Sequence, residues 1–212
     1  MANIFLNLLE IDKDFKENII VPKLTNKEII DFFSSSADER MKGLLNANAE
    51  WRNSLEEARN NKHLIKNIAA IEDKYVESLY THGYEMYKKG MFRDAFNIFR
   101  FLILIDFSEY RFAFGVARCL ESLEHFQLAG KVFRFAAGLD PTNPFPCFCA
   151  ANCSLEINDI HAALISFEQC IYVAGNNEEH TEIKERALLN YQGILAQIID
   201  DYEKEQKKKI NI

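Results

Sequence analysis

Cys147, Cys149 and Cys153 stand within seven residues of one another, and thiolates so grouped could bind a soft metal. Cys149 and Cys153 are one helical turn apart, but no Cys-x-x-Cys pair and no matching histidine pair completes a tetrahedral set. Together with Cys119 and Cys170 they occupy helical positions that a small apolar residue would fill equally well, so buried reduced thiols are the other reading. Catalysis has less to start from. His63, His82, His125, His161 and His180 are scattered, no glycine-rich phosphate loop is present, and no Ser-, Cys- or Asp-centred signature stands out. No enzymatic activity and no cofactor are expected. What remains is apolar binding: Tyr80, Tyr84 and Tyr87 share a turn and a half of helical spacing, and Phe114 and Phe148 follow Tyr80 at intervals of 34.

That interval governs much of the chain. Residues 97–106 read NIFRFLILID and residues 131–140 read KVFRFAAGLD. The same step connects Gly83, Ala117 and Ala151; Phe92, Phe126 and Ile160; Ala95, Ala129 and Ala163; and Phe99, Phe133 and Phe167. A small residue, then Ala, then an aromatic four positions on, then Asp140-Pro141, is the tetratricopeptide (TPR) pattern. The physics explains the spelling. Two antiparallel helices approach closely only where side chains at their crossing are no larger than Ala or Gly, and neighbouring pairs must stack because one pair cannot bury its apolar face alone.

The expected fold is therefore all-α: three repeats over about 76–109, 110–143 and 144–177, an N-terminal helical extension over 1–75, and a capping helix with a charged tail over 178–212. Phe107 stands where the turn proline is expected, which predicts a less rigid first turn. Gly90 and Gly175 read as helix stops. In the extension, Thr25 with Glu28 and Ser36 with Glu39 fit capping boxes, so helices should begin near 26 and 37. Met41, Leu44, Trp51 and Leu55 form one apolar stripe, which packs on its own domain or meets a second copy. Residues 59–63 read as a break before a helix over about 64–75. After the repeats, Ile183, Ala187, Tyr191, Ile194, Ile198 and Tyr202 line one helical face, as closure of an open stack requires.

In the TPR class the fifth, ninth and twelfth positions of each first helix look into the concave surface. Here they are Tyr80, Tyr84 and Tyr87, then Phe114, Arg118 and Glu121, then Phe148, Asn152 and Leu155. Aromatics at all three fifth positions describe a groove for apolar side chains with a few hydroxyl donors. Covering about 100 Å² on each would yield about 7 kcal/mol gross at ~25 cal/mol per Å². Ordering the bound segment cuts this to roughly micromolar strength. Burial of these rings in an unusual helix packing, or by self-association, is the alternative.

Bulk properties bound the partners. The chain of 212 residues is 48% hydrophobic and 27% charged, with a net charge of −7, which argues against nucleic acid as the main partner. The three lysines at 207–209 read as a solvated end. The first residues lack a basic stretch followed by an apolar run, and no segment approaches the roughly 20 apolar residues of a membrane helix. A cytosolic location is expected.

The segment LYTHGYEMYKKGMFRDAFNIF at 79–99 resembles the class II chaperones of bacterial type III secretion, the SycD/LcrH family. YRFAFGVARCLE at 110–121, PFPCFCAANC at 144–153 and GNNEEHTEIKER at 175–186 extend the likeness over roughly residues 65–200. It implies a cytoplasmic bacterial protein that binds hydrophobic translocator proteins through an extended segment, masking surface that would otherwise aggregate. By matching position, Tyr80, Tyr84 and Tyr87 would form pockets in the first repeat, with Phe114 and Phe148 continuing the groove; Arg118 and Asn152, at ninth positions, complete the candidate peptide-binding set. The family also implies a homodimer through helices ahead of the first repeat, though this leader is several tens of residues longer than usual. A general TPR scaffold without chaperone activity shares every repeat feature.

Overall fold

A computed structural model describes residues 24–34, 36, 37, 40–42, 53 and 70–210. Every regular element among them is helical: α1 (Asn26–Phe33), α2 (Asp73–Lys88), α3 (Phe92–Ile105), α4 (Tyr110–Ser122), α5 (Phe126–Leu139), α6 (Phe145–Glu156), α7 (Ile160–Ala174) and α8 (Thr181–Ile210), with a short 3-10 turn at Glu178–His180. The three helix pairs are TPR-type. Their second helices begin at Phe92, Phe126 and Ile160, in the register of 34.

The chain forms two compact units, which cut across the linear division into leader, repeats and cap. One holds the described residues between 48 and 141, and the other those between 20 and 47 together with those from 142 onward. In the first unit α2 packs on α3, α3 on α4 and α4 on α5. Phe99, buried on α3, lies where a Cβ on Gly83 or Gly115 would meet its ring, at 3.2 and 2.8 Å respectively. Small residues therefore admit one aromatic between three helices. The turn after α3 has no proline, and Asp106 holds it instead: its Oδ1 accepts from the Ser108 amide at 3.0 Å and the Ser108 hydroxyl at 2.6 Å, an Asx turn.

The first helices end alike. Gly90, Glu124 and Asn158 all have positive φ, at 77°, 63° and 57°, again 34 apart. Around Gly90 the amide of Met91 donates to Met86 O and that of Gly90 to Tyr87 O, both at 3.0 Å. The pattern repeats with His125 to Leu120 and Glu124 to Glu121, then with Asp159 to Ser154 and Asn158 to Leu155. These are three Schellman caps. Gly90 and Asn158 are residues that favour this backbone, and Glu124 is not.

In the second unit α7 packs on α6 and α8, and α1 lies against α8. The capping box is present: the Glu28 amide donates to Thr25 Oγ1 at 3.3 Å, and the Thr25 amide donates to Glu28 Oε2 at 2.7 Å. That bond holds the exposed Glu28 carboxyl below its usual range. The apolar face of α1 is spent within the chain, where Ile29 joins Leu164 and Ile198, flanked by Phe33 and Tyr191. Met41 is buried too. Leu44, Trp51, Leu55 and Glu39 lie outside the described residues, as do 59–63. Ala70 has a φ of 50° and α2 starts only at Asp73, so no helix runs unbroken to residue 75. As expected for a cap, α8 turns Ala187 and Ile198 inward.

Candidate functional site

Four rings in the first unit build the candidate surface. Tyr80 on α2 is half-buried and rests on Phe99 and Phe112, with centroids 5.8 and 6.0 Å away. Burial pushes its phenol up, opposed by the charge of Arg111, so the hydroxyl stays a donor at neutral pH. One turn on, Tyr84 is 49% exposed, with the Lys88 ammonium 5.2 Å from its ring centroid. Tyr87 reaches α4, where its hydroxyl and that of Ser122 are 3.2 Å apart, and its ring lies 5.3 Å from Phe92. On α4, Phe114 is half-buried, stacked on Tyr110 at 5.5 Å and edge-on to the buried Phe133 at 5.5 Å. Arg118, one turn later, is paired with Glu121.

The second unit treats its two predicted residues differently. Asn152 is half-exposed on α6. Phe148, predicted to be an open groove ring, is only 6% exposed. Its ring meets Phe167 edge-on at 5.7 Å, and the Arg186 guanidinium of α8 covers it at 5.1 Å from the centroid. The reason lies in α6 itself, which is apolar almost all round, with Cys147, Phe148, Cys149, Ala150 and Ala151 buried in succession.

Charge frames the first unit's rings. Arg111 lies over Tyr80 at 4.8 Å and pairs with Glu77 and Glu109 at 2.6 and 3.1 Å. These bonds hold its guanidinium firmly protonated, above its ordinary value. The fifth, ninth and twelfth positions do not include Arg111 or Tyr110, though the family-like segment 110–121 does. The signal was there, because Glu77 and Arg111 are 34 apart and so occupy equivalent places on adjacent first helices.

All five cysteines are buried, and burial pushes the Cys119 and Cys170 thiols up to about 12, far from the thiolate a metal or nucleophile needs. Among the described residues no group of His, Cys, Asp and Glu is arranged to hold a metal ion, and no helix is long and apolar enough to cross a membrane.

No family model matches the chain. The chaperone protein SicA of Salmonella typhimurium is 24% identical over 144 residues, which are 68% of this chain and 85% of SicA. Among solved structures, a type III secretion complex from Aeromonas hydrophila aligns with a TM-score of 0.62 at 26% identity, over 68% of this chain and 97% of that one. PcrH of Pseudomonas aeruginosa, solved in complex with the chaperone binding region of PopD, aligns with a TM-score of 0.57 at 27% identity, over 60% of this chain and 96% of that one. In sequence and in fold the chain is thus similar to the class II chaperones of type III secretion, the likeness that its aromatic and small-residue motifs implied.

Proposed function

We propose that this chain is a bacterial cytosolic chaperone of type III secretion. It holds an extended apolar segment of a membrane-active translocator protein against the aromatic face of its first two helix pairs. The observation that carries this reading is that Tyr80 and Phe114 rest on buried rings yet keep part of their own faces in solvent. They are apolar surfaces held open by the core beneath them. PcrH, solved with the chaperone binding regions of PopD and of PopB, supports it by likeness.

Tyr80, Tyr84, Tyr87 and Phe114 supply the contact area, and Tyr hydroxyls and Arg118 supply donors to the segment's carbonyls. Asn152 of the second unit is half-exposed on α6, and Phe148 supports that helix from beneath. Binding exchanges one apolar surface for another, so it needs no ATP and involves no catalysis. With two partly covered rings at its centre the contact is weak for a single motif, roughly micromolar. Mass action then keeps the client soluble while the chaperone is in excess.

The test is co-expression with a candidate membrane-active secreted protein, reading client solubility and co-purification. Tyr80→Ala with Phe114→Ala removes the central rings, but both rings pack on the core. Tyr84→Glu, at an exposed position, is therefore the companion variant, with circular dichroism as the check on folding. Wild type keeps the client soluble and both folded variants lose it. Equal rescue by folded Tyr84→Glu and wild type would overturn the reading.

A further inference from the structure

The aromatic face of the first unit is edged by cations. The Lys88 ammonium stands 5.2 Å from the Tyr84 ring centroid, and Lys89 follows it at the end of α2, both exposed. Tyr84 itself is 49% exposed, and Tyr80 and Phe114 are half-buried. An apolar face with a positive edge fits a segment that is apolar first and acidic next.

The chain carries such a segment. Residues 1–23 lie outside the described residues, and within them 4–11 read IFLNLLEI, six apolar residues in eight. Glu10, Asp12 and Asp14 then face a single lysine, Lys13. The described chain resumes at Leu24, just ahead of α1, which is fixed against α8. Fifteen residues lead from Leu9 to Leu24. Extended, they span about 50 Å, against the roughly 30 Å of a small domain. The tether therefore sets how concentrated the segment is, and does not limit its reach.

We propose that residues 4–14 occupy the aromatic face in cis when no client is present, as a competitor built into the leader. This rests on the reading of that face as a site for an extended apolar segment, and adds its regulation. A segment on so short a tether has an effective concentration of about 1 mM. With an intrinsic affinity of roughly 10–100 μM it lowers the apparent affinity for any other segment by about ten- to hundredfold. Stray apolar contacts are then excluded, while a client with more contacts displaces the leader. The acidic half adds a contribution that weakens with salt.

Fluorescence anisotropy in low salt, with a labelled peptide of residues 3–15 added to the full chain, tests this. Leu6→Asp with Leu9→Asp spoils the leader, and that chain binds the peptide about ten- to hundredfold tighter than wild type does. Phe5→Ser shifts affinity the same way by less, and Tyr84→Glu added to the double variant abolishes binding, with circular dichroism showing that each variant is folded. Equal affinity of wild type and double variant, or binding that survives Tyr84→Glu, would overturn the proposal. So would a wild type that binds the peptide more tightly on dilution, since the leader of a second copy would then cover the face. The probe is the chain's own sequence and involves no client: a negative result here leaves client rescue in co-expression standing, and loss of that rescue leaves peptide binding standing.

Discussion

The guanidinium of Arg111 covers the ring of Tyr80 at 4.8 Å, and the same group is tied to Glu77 on the helix that carries Tyr80. One side chain thus fixes both the orientation of the ring and the spacing of α2 and α4. Its side chain is 39% exposed and that of Glu77 52%, so the ion pair itself contributes little to stability, under about 1 kcal/mol. Arg111→Lys keeps the charge but loses the planar fork and the stacking. Chemical denaturation should show a change below about 1 kcal/mol, and calorimetric titration with the client segment an affinity several-fold weaker. An unchanged affinity would separate Arg111 from the binding face.

Gly115 makes the converse prediction. A methyl group there would stand 2.8 to 3.0 Å from three atoms of the Phe99 ring, and Phe99 is buried and cannot swing aside. Gly115→Ala gains roughly 1 kcal/mol of helix propensity but overpacks the core by about 1–3 kcal/mol. Urea unfolding should show a net loss of about 1–2 kcal/mol. Phe99→Leu in the same chain relieves part of it.

These two sites mark what the sequence made legible. Helix pairs, their register and the aromatic positions follow from a repeat in which every unit solves the same packing problem, so the spelling recurs. Gly115 breaks the register, since its equivalents are Thr81 and Cys149, and only the third dimension shows which ring it admits. Phe148 misled for a related reason: it obeys the register, but Arg186, which covers it, is contributed by a helix outside the repeat. Of the other two left-handed caps, Asn158 is a residue that tolerates this backbone, whereas Glu124 does not look like a stop.

Arg40 and Glu168 form a pair that no local pattern foretells, 128 residues apart in sequence. Their side chains are 10% and 8% exposed, and the Arg40 guanidinium also lies near the rings of Phe32 and Phe33, at 5.5 and 5.2 Å. The pair fastens the leader to α7. Removing one partner strands a buried charge, which costs about 3–5 kcal/mol, whereas replacing both by apolar or neutral groups of similar shape costs far less. Arg40→Ala should therefore lower stability more than Arg40→Met with Glu168→Gln, as read by urea unfolding. Equal losses would mean that the site is wetter than its burial implies.

Cys119 and Cys170 predict a loss of stability in alkali. Burial raises both thiols from an ordinary value near 9 to about 12. Below pH 9 folded and unfolded chains both hold these protons, and the contribution is constant. Between 9 and 12 the unfolded chain releases them while the folded chain keeps them, so stability falls as pH rises. By pH 10 the loss is about 1 kcal/mol per thiol. Tyr80 and Tyr191, also raised by burial, add a loss of the same sign. Denaturation at pH 8 and pH 10, in wild type and in Cys119→Ala with Cys170→Ala, isolates the thiols: the variant should lose about 2 kcal/mol less over that interval.

Glu124 is a site where the fold holds a residue against its preference. Its φ of 63° is left-handed, which costs a side-chain-bearing residue about 1–2 kcal/mol relative to the right-handed region, and the cap bonds from Glu124 and His125 keep it there. Gly90 fills the equivalent place in the first repeat without that cost. Glu124 is exposed, so Glu124→Gly removes no packing, and it relieves the strain at the expense of a more flexible unfolded chain. The net gain should be about 0.5–1 kcal/mol, seen as a higher urea midpoint with an unchanged slope. Glu124→Val, β-branched and intolerant of this backbone, should lower the midpoint. If glycine and valine shifted it alike, the left-handed cap would not be what holds the end of α4.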